Sequence, residues 1–137
     1  MRRLAVFAVL ALVVAGCGGS GGSRPSTAPV RITFGLSGGT MIPFAATIDR
    51  AGTVQTAGFL PGAVVAKTVS RAQEKTLSGL VREAIGGLKD EQCSDSFPDE
   101  SGKFITALGK TVTVRGTCEP SFTKLWNELA NAIGVKQ

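Results

Sequence analysis

Along residues 30–137 the spacing of apolar positions changes from two to three-and-four, returns to two, and ends on three-and-four. Residues 31–36 alternate polar and apolar around Ile32, Phe34 and Leu36. A period of two marks a strand with one covered face. Ser37, Gly38, Gly39 and Thr40 then read as a turn. Residues 44–49 predict a second strand, Arg50, Ala51 and Gly52 a reversal, and residues 53–56 its hairpin partner. Residues 59–62 punctuate the chain around Pro61, and residues 63–69 predict a further strand. Leu77, Leu80, Val81, Ala84, Ile85 and Leu88 then fall on one face of a helix. Ser70 and Gln73 have capping-box spacing at its start, and Gly86 and Gly87 mark its end. Gly79 lies inside this helix, where it costs about 1 kcal/mol relative to alanine; a close packing contact would be one reason for it. Residues 89–103 form a polar loop. Residues 104–108 and 111–115 predict two strands around Gly109 and Lys110. Pro120, at the first helical position, opens a last helix whose apolar face includes Phe122, Leu125, Trp126 and Leu129. The fold class is therefore α+β: an antiparallel sheet of about 4–6 strands, with two amphipathic helices packed on one face.

Residues 1–29 follow none of these periods. Arg2 and Arg3 precede a twelve-residue apolar run, residues 4–15. A helix that spans a bilayer needs about 20 residues, whereas a secretory signal has these proportions. Val14, Ala15, Gly16 and Cys17 resemble the lipobox of bacterial lipoproteins. That resemblance implies cleavage before Cys17 and diacylglycerol on its thiol. Residues 16–21, GCGGSG, also match the dinucleotide fingerprint G-x-G-x-x-G. The fingerprint needs a helix directly after it and an acid about 20 residues on. Instead a glycine- and serine-rich stretch follows, and the first acid is Asp49. Residues 18–29 contain little that can be buried and read as a flexible tether reaching roughly 20 Å. The expected organisation is a signal peptide (1–16), a lipidated Cys17 with its tether (17–29), and one domain (30–137). The expected location is the cell membrane, on its extracytoplasmic face.

Composition narrows the chemistry. The chain of 137 residues has 15 Lys and Arg against 10 Asp and Glu, for a net charge of +5, with no histidine and no tyrosine. The basic residues are scattered rather than clustered, which argues against nucleic acid. Without histidine there is no Ser-His-Asp triad, no Cys-His pair and no His-ligated zinc. No catalytic residue, metal ligand or cofactor site is expected. An enzyme would need two exposed acids held close together in a cleft. The acids around Cys93, among them Asp90, Asp95 and Asp99, fail the spacing of an EF-hand and read as a solvated loop.

With Cys17 lipidated, Cys93 and Cys118 remain. An even pair in an exported small domain reads as a disulfide. The rival reading, a redox or catalytic thiol, lacks both a C-x-x-C spacing and an activating histidine. The turn Ser37, Gly38, Gly39 and Thr40 is the candidate partner-binding segment, against the plain alternative that it only reverses the chain.

The order of elements resembles the emfourin group, protein inhibitors of thermolysin-like metalloproteases. The matching residues are Ile32-Thr33-Phe34, Ser37-Gly38-Gly39, Thr47-Ile48-Asp49, Leu77 with Leu80, Val112 with Val114, and Pro120 with Leu125 and Leu129. Thr40 stands where that group often has an aromatic, and Cys93 and Cys118 have no placed counterpart. The resemblance implies a non-enzymatic protein-binding module that blocks a thermolysin-like protease through the Ser37–Thr40 turn. The alternative is an envelope structural or sensory lipoprotein acting through a membrane partner.

Overall fold

The computed structural model describes residues 26–40, 43–58 and 65–135. The expected signal, Cys17, most of the tether, the punctuation at 59–62 and the first residues of the 63–69 strand lie outside the described residues. Among those described, no helix is long and apolar enough to cross a membrane.

Six strands and two helices follow in the order β1 (Ile32–Ser37), β2 (Phe44–Ile48), β3 (Val54–Gly58), α1 (Arg71–Ala84), β4 (Glu91–Gln92), β5 (Gly102–Ala107), β6 (Lys110–Arg115) and α2 (Pro120–Ala132). They form one sheet of order β3-β2-β1-β5-β6-β4. All neighbours are antiparallel except β4 with β6. The α+β class expected from the periodicity is the observed one.

The register explains why one face is covered. Phe34 stands opposite Ala46 on one side and Ile105 on the other, and Ile105 opposite Val112. All four are fully buried. They join Leu77 and Val81 of α1 and Phe122, Leu125, Trp126 and Leu129 of α2 in a single core. The residues of opposite parity form the other face. Gln55, Thr47, Thr33, Thr106 and Thr111 make one continuous row across five strands. Within it Thr33 and Thr47, and Thr106 and Thr111, share hydroxyl hydrogen bonds of 2.9 Å. The sheet is thus apolar toward the helices and threonine-rich on its open side.

The Ser70 hydroxyl accepts from the Gln73 N–H and the Gln73 side chain accepts from the Ser70 N–H, the expected capping box. Just before β1, the Val30 N–H donates to the Ser78 hydroxyl at 2.9 Å. The Ser78 hydroxyl in turn donates to the buried Glu74 carboxylate at 2.5 Å. Just past the end of α1 the Lys110 ammonium donates to the carbonyls of Gly86 and Leu88. α2 lies nearer the other end of β1, where the Trp126 indole N–H donates to the Gly35 carbonyl at 3.3 Å. Its ring meets Phe34 edge-on, with centroids 6.0 Å apart.

Four local expectations are corrected. Residues 65–69 form no strand; Thr68 makes only an isolated bridge to Thr53. The backbone of this segment is shared between two elements: Ala66 donates to Ile133 beyond α2, and Val69 to Gly52. No single neighbour offers it a ladder. Conversely, Glu91 and Gln92, expected in a loop, pair in parallel with Val114 and Arg115. Leu108 is not the last residue of a strand but the first of the β5–β6 turn, while Lys110 is in β6. Gly79 has no close neighbour: a Cβ there would meet nothing within 4 Å.

Candidate partner-binding rim

The antiparallel register gives the sheet two dissimilar ends. At one end lie Ser37, Gly102 and Arg115, where β1 and β6 finish and β5 begins. Three loops gather there: the Ser37–Thr40 turn, residues 93–101, and residues 116–119. A disulfide between Cys93 and Cys118, with Cα atoms 5.5 Å apart, joins the second loop to the third. The expected pairing is present. It completes the parallel contact of β4, since the Cys93 N–H donates to the Arg115 carbonyl at 2.9 Å.

Behind the disulfide the acidic loop is ordered by its own side chains. The Thr117 hydroxyl donates to Asp95 Oδ2 at 2.6 Å, and the Thr117 N–H to Oδ1 at 3.4 Å. The hydroxyl bond is the main reason the Asp95 carboxyl titrates below its ordinary range. The Ser96 hydroxyl donates to the Cys93 carbonyl at 2.7 Å. Residues 97–100 close a turn with Pro98 at its second position: the Glu100 N–H donates to the Phe97 carbonyl at 3.0 Å. The Phe97 N–H donates to Glu100 Oε2 at 3.2 Å. The result is a Phe97 side chain 71% exposed on a loop fixed at both ends.

The Ser37–Thr40 turn is packed against that loop. The Thr40 N–H donates to the Asp99 carbonyl at 3.1 Å, and the Ser101 hydroxyl to the Gly38 carbonyl at 2.8 Å. Gly39 has φ +67°, and a Cβ there would stand 2.5 Å from the Asp99 carbonyl oxygen. Both the backbone and the space therefore require glycine. Ser37, Gly38, Gly39 and Thr40 are all exposed. The guanidinium of Arg115 lies beside Gly38. The candidate turn, the acidic loop and the disulfide, far apart in the sequence, thus form one rim. Phe97 was missed in the sequence because a lone aromatic in a polar loop belongs to no periodic pattern.

A groove of about 580 Å³ runs between the helices, with Leu80, Ala84 and Leu125 on its walls and Glu83, Glu119 and Glu128 beside them. Among the described residues no group of three or more His, Cys, Asp or Glu is placed to hold a metal ion. No family model, curated protein or solved structure matches the chain.

Proposed function

We propose that the protein is a lipid-anchored, extracytoplasmic binding module whose rim, with Phe97 as anchor, blocks a thermolysin-like metalloprotease. The anchor rests on the lipobox-like Val14, Ala15, Gly16 and Cys17. The protease reading rests on the resemblance to the emfourin group. The observation that carries the binding role is the exposed Phe97 on a loop held by the Cys93–Cys118 disulfide. A few buried aromatic anchors dominate most protein interfaces. An anchor already fixed in place loses little freedom on binding. Blockade of this kind asks no bond-making of the chain, only occupation of the protease cleft.

Titration of the full chain against thermolysin, read as residual peptide hydrolysis, tests the inhibitor reading. Inhibition in the micromolar range or below is expected. Phe97→Ala should weaken it by roughly thirtyfold, the size of a hot-spot contact. Absence of inhibition at micromolar excess removes the reading. The anchor is tested separately, by the mass of the membrane-bound protein from a bacterial host. A diacylglycerol adduct on Cys17, lost in Cys17→Ser, is expected, and an unmodified thiol refutes it.

A further inference from the structure

The opposite end of the sheet is built for a different contact. There β1 and β6 begin and β2 and β5 finish, around Arg31, Arg50 and the Leu108–Gly109 turn. Leu108 has φ +53° and is 53% exposed. Two-residue hairpin turns with both φ values positive favour asparagine or glycine. A bulky leucine held there, in a sparsely allowed conformation, is an outlier that points to a role for its side chain.

Charge and chain direction point the same way. Arg31, Arg50 and Arg71 are exposed at or beside this end. Arg31 and Arg50 line a hollow of about 390 Å³ together with Thr33, Thr106 and Leu108. The acid beside them, Asp49, has one oxygen taken by the N–H groups of Ala51 and Thr53. Glu74 is buried against Ser78, and Asp90 accepts from the Thr113 N–H further along β6. The rim, by contrast, carries Asp95, Asp99 and Glu100. The N-terminal segment also arrives at the basic end: the Arg82 guanidinium donates to the Ala28 carbonyl, and Val30 is bound to Ser78. Cys17 precedes Ser26 by nine residues. Nine residues span at most about 30 Å.

We propose that this basic end docks on an anionic bilayer surface, with Leu108 inserted among the headgroups and Arg31 and Arg50 on the lipid phosphates. The inference rests on the anchored reading for the direction of the tether. Its charge and its wedge are independent of that reading. Docking would turn the acidic rim, with Phe97, away from the membrane and toward a soluble partner. Basic residues near an anionic leaflet are attracted over about a Debye length, and an apolar side chain at the interface adds to this.

The test uses the full chain carrying Cys17→Ser, so that an added cysteine is the free thiol. An environment-sensitive fluorophore is placed at Thr111→Cys, near the basic end, or at Thr40→Cys, on the rim. Residues 4–15 bring both proteins to any vesicle, and the probe then reads which end faces the lipid. On phosphatidylglycerol vesicles the Thr111 probe should shift to the blue and the Thr40 probe should not. On phosphatidylcholine vesicles, or in about 0.5 M salt, where screening is short-ranged, neither should shift. Arg31→Gln with Arg50→Gln should abolish the shift, with unchanged circular dichroism as the check on folding. Equal shifts at both probes, none at either, or no difference between the two lipids would overturn the proposal. The same shift with inorganic phosphate and no vesicles would overturn it in favour of a soluble anion. A Cys17 without lipid defeats the anchored reading alone, because the vesicle measurement does not depend on lipidation.

Discussion

The two ends of the sheet solve the problem of an exposed apolar residue in opposite ways. At the rim, Phe97 is held out by a disulfide, a proline turn and a neighbouring glycine turn, all within ordinary backbone geometry for their residue types. At the basic end, Leu108 is held out by a two-residue turn that its own backbone resists. One end is stapled and the other is strained. Rigidity that comes from covalent and hydrogen-bonded neighbours is lost when a neighbour is removed. Strain is relieved when the strained residue is replaced. Mutations should therefore move stability in opposite directions at the two ends.

The largest effect is expected from the staple. Replacing Cys93 and Cys118 by alanine opens a loop of separation 25. The chain-entropy model gives about 3.5 kcal/mol for that loop. Denaturant unfolding should show a loss near this size, with Phe97 more accessible to proteolysis. A loss below about 1 kcal/mol would mean that hydrogen bonds alone hold the rim. Next, Gly39→Ala should cost about 1–2 kcal/mol from its left-handed backbone alone, plus displacement of Asp99. Thermal unfolding measures this, and a neutral result would detach the turn from the loop.

At the other end Leu108→Gly should raise stability by about 1 kcal/mol while abolishing the vesicle response. Stabilisation together with retained lipid binding would separate the strain from the docking. Gly79→Ala, in open space on α1, should also gain about 1 kcal/mol, from helix propensity alone. It serves as the reference for a gain unrelated to either end. The smallest effect is one the two ends share. Asp95 is held below the ordinary 3.8 first by the Thr117 hydroxyl, and Asp49 first by the Thr53 N–H. A lowered folded-state value means stability that is present above about pH 4 and lost as the pH falls through that range. Asp95→Asn and Asp49→Asn should each flatten the acid limb of stability slightly, as read by midpoint against pH.

Much of the fold was legible because period and caps are local. Ser70 with Gln73, Pro120, and the apolar positions of β1, β2, α2 and α1 as far as Ala84 behave as their spacing implies, while Leu88 is buried just beyond the helix. Illegible features depend on partners distant in sequence. Glu91 and Gln92 become a strand only because β6 lies beside them, and the disulfide holds them there. Residues 65–69 have strand-like composition but divide their hydrogen bonds between a hairpin and the exit of α2. The Ser37–Thr40 turn was legible as a turn, not as a surface moulded on Asp99 and Ser101. The cysteine pair was legible through its even count, whereas Phe97 had no signal beyond being a single apolar residue among polar ones, and Leu108 read as the end of a strand rather than the start of a turn.

The bond between Val30 and Ser78 also bears on mechanical load. A pull on the N-terminal segment meets the Arg82–Ala28 contact, then this bond, and then β1, which lies inside the sheet with β2 and β5 on either side. Drawing β1 out lengthwise would shear two hydrogen-bonded ladders at once rather than open one rung at a time. A pull on the C-terminus instead meets α2, which can peel from the sheet surface. A force applied between the two ends of the chain should therefore strip α2 before it opens the sheet.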